Sequence, residues 1–158
     1  MLALVSISFT LQAQKYGYIN SDALIAEMPK VKQMQPELES LQKILNKKRE
    51  TMITDLQAKQ QDAQRKYEQG LLSPADQETV QAQLVTGQQE IAAYEQTMQN
   101  DLLKKQQELL DPILKQVDDA IKQVAKENGY TMIFNSAVLL YADEAQDVSA
   151  QVKAKLNL

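Results

Sequence analysis

The sequence predicts an α+β protein that is mostly α: a long antiparallel helical hairpin, a coiled-coil arm, carried on a small β body that oligomerises. Three observations carry this. Apolar residues recur at three- and four-residue spacing over two stretches longer than ordinary globular helices; one strong turn signal separates the stretches; and aromatic and β-branched clusters sit at the two ends. Gln occurs 23 times in 158 residues beside abundant Leu, Ala, Lys and Glu, while only 5% of the chain is aromatic and four residues are Gly. Straight-chain residues lose little rotamer freedom in a helix, so this bias favours long helices over a sheet-rich globule.

Residues 1–13 read as a signal peptide. Met1 to Gln14 carry no charge, and Leu2 to Leu11 form an apolar run too short to cross a bilayer. Leu11-Gln12-Ala13 ends it with a small residue suited to signal peptidase, with cleavage expected after Ala13. Signals normally open with Lys or Arg, so either the true start lies upstream of Met1 or the run is a buried helix. No Cys follows to take a lipid anchor, and no later apolar stretch approaches ~20 residues, so a soluble mature chain is expected.

Residues 15–29 and 129–158 form the expected body, which carries an arm over 30–128 with its tip near 70–74. Lys15 to Asn20 alternate as a strand, and Ser21 is placed to cap a helix to Met28 with Leu24, Ile25 and Met28 on one face, stopped by Pro29. Val31, Met34, Leu38, Leu41, Leu45 and Met52 then follow a seven-residue repeat, interrupted by Lys48, in a helix running to about Gln69. Pro36 lacks an amide donor and predicts a start or a bend. In Gly70-Leu71-Leu72-Ser73-Pro74, Ser73 is an N-cap, Pro74 the first helical residue and Asp76 a carboxylate favoured by the helix dipole. The second helix runs to Asn128 and ends at Gly129, with a bend expected near Pro112.

Helices of about 60 and 80 Å exceed the width of a small globule and must fold as a hairpin. With its turn at Leu72, residue i faces 144 − i. This brings Val31 to Ile113, Met34 to Leu110 and Leu41 to Leu103, and it pairs Glu39 with Lys105, Lys43 with Asp101, Arg49 with Glu95 and Lys66 with Glu78. Glu68 facing Asp76 is unfavourable. Beyond Gly129, residues 130–135 and 138–142 read as a two-stranded hairpin, followed by a helix capped by Asp147 with Val148, Val152 and Leu156 on one stripe. So small a sheet cannot cover Tyr18, Ile19, Ile133, Phe134, Val138, Leu139, Leu140 and Tyr141, which makes them the expected oligomer interface.

The composition excludes most chemistry. Without Cys or His there is no thiol nucleophile, disulfide, zinc finger or imidazole shuttle, and the seven Ser lie in no Gly-x-Ser-x-Gly motif. No Gly-rich phosphate loop is present, so no enzyme, metal or cofactor is expected. Asp118-Asp119 and Lys47-Lys48-Arg49 read as solvated helix faces. A net charge of −4 argues against nucleic acid and gives membrane contact no support.

The ends YGYINSDALIAEMP and VAKENGYTMIFNSAVLLYADEAQDVSAQVKAKL resemble those of Skp/OmpH-type periplasmic chaperones, with the helical hairpin between them. The resemblance implies a homotrimer whose intersubunit β body carries three arms around a space that holds unfolded outer-membrane proteins without ATP, in the periplasm. Well-known members are strongly basic, whereas this chain has a pI near 4.9, so no lipopolysaccharide site is carried over. From Gln57 to Glu90 apolar residues thin out and Gln dominates, leaving Met52, Leu56, Tyr67, Leu71, Leu72, Val80, Leu84 and Val85 either as client contacts or as ordinary seam packing. The alternative function is a structural or adaptor coiled coil of the cell envelope with one folded partner.

Overall fold

The computed structural model of the protein describes residues 14–158, so the leader assigned to 1–13 lies outside the described residues. The elements are β1 (Lys15–Ile19), α1 (Ser21–Glu27), α2 (Pro29–Glu68), α3 (Pro74–Asn128), β2 (Tyr130–Asn135), 3-10 turns at Ser136–Val138 and Glu144–Gln146, and α4 (Ser149–Leu156). This is the mostly helical α+β architecture that the periodicities imply. It divides into two compact units, residues 14–31 with 112–158, and Lys32–Asp111.

In the first unit β1 and β2 pair in parallel, Tyr16 opposite Met132, Gly17 opposite Ile133 and Tyr18 opposite Phe134. Parallel strands cannot be joined by a tight turn, so the whole helical segment between them is the crossover. The expected antiparallel hairpin of 130–135 with 138–142 does not form. Asn135 Oδ1 accepts from the Ala137 amide at 3.1 Å and the Leu139 amide donates to the Ser136 carbonyl at 3.1 Å, which curls the chain into a 3-10 turn where a second strand would start. The other edge of β1 is met by Asp147, and the Val148 amide donates to the Tyr18 carbonyl at 2.9 Å.

Alternation along β1 turns Gly17 and Ile19 inward. Ile19, Leu24 and Met28 pack in a core with Ile113, Val117, Ala120 and Val124, a stripe at three- and four-residue spacing on α3, and with Val148, Val152 and Leu156 from the C-terminal stripe. Exposed ion pairs, Lys153–Glu27 and Lys155–Glu127, both 2.7 Å, tie α4 to α1 and α3. The cap of α1 is Asn20, not Ser21: Asn20 Oδ1 accepts from the Ala23 amide at 2.9 Å, and the Ser21 hydroxyl instead accepts from Asn135 Nδ2 at 2.7 Å. The N-cap position of α4 is Val148 rather than Asp147, which stands one residue earlier and accepts from the Ser149 amide at 2.7 Å. Gly129, at φ +70°, ends α3 in the left-handed conformation expected of it.

The second unit is an antiparallel helix pair. Here α2 begins at Pro29 rather than at Pro36 and runs through it. Pro36 and Lys32, whose carbonyl loses its partner, are both exposed, which leaves that carbonyl open to solvent. Arg49–Glu95, at 2.6 Å, falls on the 144 − i register. Farther along, Lys105 pairs with Glu37 at 2.7 Å rather than with Glu39, and Leu103 is 65% exposed while Leu102 is half-buried, so Leu41 does not meet Leu103. A helix drifts against an ideal heptad, and a register fixed at one pair slips with distance from it. Lys66 pairs along its own helix with Asp62 at 2.7 Å, not with Glu78, and among the described residues Lys43 and Asp101 form no ion pair.

Replacing Leu24 with Ala leaves a cavity in the core of the first unit and is expected to cost about 2–5 kcal/mol. Exposed Ile44→Ala should stay within about 0.5 kcal/mol. Urea unfolding of both variants at one protein concentration measures the contrast.

Candidate functional site

The end of the helix pair is built by two opposed caps. At the close of α2 the Leu71 amide donates to the Lys66 carbonyl and the Gly70 amide to the Tyr67 carbonyl, both at 3.0 Å, with Gly70 at φ +70°. That paired pattern satisfies carbonyls that a helix end leaves open. Ser73 and Asp76 then form a reciprocal box: Ser73 Oγ accepts from the Asp76 amide at 3.2 Å, and Asp76 Oδ2 accepts from the Ser73 amide at 3.1 Å and its hydroxyl at 2.5 Å. Those two bonds from Ser73 hold the Asp76 carboxyl below the usual carboxylate range. Asp62 is lowered likewise by Lys66 first and Arg65 second, so the turn is flanked by two carboxylates kept ionised.

Between these caps and the Arg49–Glu95 pair the seam opens. One groove, about 920 Å³, has Met52, Leu56 and Ile91 among its lining residues, with Asp55, Lys59, Glu78 and Glu90 beside them. A Cβ on Gly87 would lie 2.7 Å from Leu56 Cδ1, so the bare Gly87 backbone is what Leu56 packs against. A smaller groove nearer the turn, about 290 Å³, brings together Tyr67, Leu72, Val80 and Leu84 amid Gln60, Gln64, Gln77 and Gln81. Thus six of the eight candidate residues line grooves. Leu71 and Val85 are exposed outside them. Ile91 and Gly87 were not among the candidates, though the 80, 84, 87, 91 spacing places both on the seam.

Farther from the turn, the pair is closed by Leu45 and Met98, both buried. Tyr94 donates its hydroxyl to the Leu45 carbonyl at 3.3 Å, and the Lys48 ammonium lies 4.7 Å from the Tyr94 ring centre. Lys48, an interruption of the repeat, is therefore used at the helix interface. Asp118 and Asp119 are solvated as expected, each paired one turn away, with Lys122 at 2.5 Å and Lys115 at 2.6 Å.

The first unit carries a second candidate surface. On the outer face of the sheet Tyr16, Met132 and Phe134 are exposed and Tyr18 is half-buried, with the Tyr16 and Phe134 rings 6.4 Å apart. Burial first, and then the Asp147 carboxylate, push the Tyr18 phenol up. Val138, Leu140 and Tyr141 are strongly exposed in the following segment, and Leu139 is half-buried. Of the eight candidate interface residues, Ile19 lies in the protomer's own core and half-buried Ile133 shares its inward side. Tyr16 and Met132 were missed, although strict alternation with Tyr18 and Phe134 marks them.

Among the described residues no group of His, Cys, Asp or Glu is arranged to hold a metal, and no helix is long and apolar enough to cross a membrane. The family model for outer membrane protein (OmpH-like) matches residues 15–156. A chaperone protein Skp from Yersinia enterocolitica is 26% identical over 148 residues, covering 94% of this chain and 89% of that protein. The Skp of Pectobacterium atrosepticum is 24% identical over 151 residues, 96% and 90% of the two chains. The crystal structure of an OmpH-like outer membrane chaperone from Caulobacter crescentus superposes with a TM-score of 0.74 at 15% identity, covering 98% of this chain and 90% of that one.

The cap box generates a titration test. Because the folded Asp76 pKa is lowered, its contribution is present above the ordinary carboxylate value, roughly 3.9, and is lost as pH falls through the lowered one. Carboxyl chemical shifts should place the Asp76 midpoint below that value, and Ser73→Ala should return it toward the ordinary range. The same substitution should weaken the start of α3 by about 1 kcal/mol, seen as faster amide exchange there.

Proposed function

The chain belongs to the OmpH-like outer membrane protein family, and on that premise we propose that it is a periplasmic, ATP-independent holdase chaperone that binds unfolded outer-membrane proteins among helical arms and prevents their aggregation. The observation that carries the reading is the open seam of α2 and α3, where Met52, Leu56, Tyr67, Leu72, Val80 and Leu84 line grooves instead of closing them. Unfolded chains offer apolar segments of no fixed shape, and flexible Met and Leu among Gln can repack around many of them. The Skp relatives are named as chaperones, in line with this.

The homotrimer is part of the same proposal. An isolated two-stranded sheet is marginal in water, and its outer face leaves Tyr16, Met132 and Phe134 exposed in one protomer. Tyr18, Val138, Leu139, Leu140 and Tyr141 extend that apolar surface, so three copies would cover through each other what one cannot. Several arms in one particle let weak contacts add through effective concentration.

Two variants test the proposal. Phe134→Asp puts an unpaired carboxylate at the interface, at a cost of several kcal/mol, and should disperse the trimer in sedimentation; an unchanged trimer removes Phe134 from the interface. Deleting residues 53–91 and joining the helices by a short Gly-containing turn keeps the Arg49–Glu95 pair and its register. The shortened protein should still assemble but lose most of its suppression of aggregation of several unrelated unfolded barrels. Full suppression would move the client site to the body, and binding of one folded partner alone would return the adaptor reading.

A further inference from the structure

We infer that the groove between Met52 and Ile91 takes a cationic amphipathic segment of the client, an apolar side chain flanked by Lys or Arg; this rests on the holdase reading and specifies what that site selects. The argument begins with where the charge lies. Residues 53–91 hold six carboxylates, Asp55, Asp62, Glu68, Asp76, Glu78 and Glu90, against three cations, Lys59, Arg65 and Lys66, a net of −3. The remainder of Lys32–Asp111 has seven of each sign, so the unit's whole charge excess lies in its grooved part.

Ion pairing sharpens the imbalance. Arg65 and Lys66 both pair with Asp62, so among the described residues Lys59 is the one cation of this stretch outside an ion pair. Asp55, Glu78 and Glu90 have no such partner among the described residues, and all three line the groove. Its apolar wall of Met52, Leu56 and Ile91 is therefore bordered by three uncompensated carboxylates against one lysine. At about 920 Å³ the groove is as large as pockets that enclose a drug-sized ligand, about 300–1,000 Å³, which is room for several residues of an extended segment. Apolar contact supplies affinity there, and the carboxylates supply the preference for a basic neighbour.

Two peptides with one apolar core, flanked by Lys in one and Glu in the other, test this by fluorescence anisotropy with the full chain. The Lys-flanked peptide should bind about fivefold to tenfold tighter, the sum of three weak exposed pairs. The preference should shrink at ~0.5 M salt, where charges are screened within about 5 Å, while binding itself persists. The combined variant Asp55→Asn, Glu78→Gln, Glu90→Gln should bind the two peptides equally. In Gly87→Leu the new side chain pushes Leu56 aside and occupies the groove, so both peptides should weaken, with helicity kept because Leu is the better helix former. Equal binding by the unmodified chain, or an undiminished preference in the combined variant, overturns the inference. A particle mass that grows beyond the trimer with concentration, and no longer does so in the combined variant, would put a second copy in the groove and overturn it too. Aggregation of an unfolded barrel is followed in parallel: suppression without a peptide preference overturns the groove assignment alone, whereas no suppression by the unmodified chain overturns the holdase reading with it.

Discussion

The parallel pairing of β1 with β2 is the constraint on which the rest of the structure depends. A strand leaving at Ile19 and a strand entering at Tyr130 must run the same way, so the intervening chain has to travel out and back. Two helices joined by one tight turn satisfy this with their interior backbone groups bonded except opposite Pro36 and Pro112, and the turn signal at Gly70 to Pro74 fixes where the direction reverses. The same pairing brings sequence-distant ends together. Leu24, Ile113, Val124, Val148 and Val152 come from α1, α3, α4 and the residue before α4, yet all are fully buried in one core.

That core uses one side of the sheet and leaves the other bare. Ile19 points in and Tyr16 points out because successive strand residues alternate, so no local rearrangement could bury both. Asn135 and the 3-10 turn after it withhold a third strand from β2, leaving its outer edge unpaired within the protomer. Exposed edges and apolar faces are normally blunted by charge or cover. Here the segment that follows is itself apolar, with Leu140 and Tyr141 turned to solvent. The proposed trimer would cover this surface, whatever the arms do.

Much of this was legible in the sequence where the signal is local. The Ser73–Asp76 box, Gly129, β1, β2 and the 148, 152, 156 stripe depend on residues within a few positions of one another, and each is found where those residues put it. What failed depends on partners far along the chain. The 138–142 strand rested on composition, which says nothing of whether a partner is present, and the antiparallel hairpin lost to a pairing more than a hundred residues apart. Leu103 was set on the seam by extrapolating one register over several turns, and a slip of a single residue exchanged it for Leu102. In the candidate site, the depletion of apolar residues after Met52 coincides with the stretch where the grooves lie, but the groove beside Gly87 is a matter of depth that spacing does not encode.

Weak packing in the arm and the binding proposed for it have one cause. Where Leu45 and Met98 close the helix pair beside Tyr94, their side chains are buried between the helices and not offered to another chain. Where Gly87 and the Gln-rich stretches replace such residues, the helices keep their backbone bonds but lose side-chain contact, and the surface they fail to bury in each other is what a client can cover. Filling the seam with Leu would strengthen the hairpin and remove that surface in the same step. The retained stability comes instead from the helix ends, from the paired carbonyl cap at Gly70 and the Ser73–Asp76 box, which hold the turn without occupying the grooves. Stabilising an arm at its caps rather than along its seam is the arrangement that lets it stay helical while its apolar residues remain available.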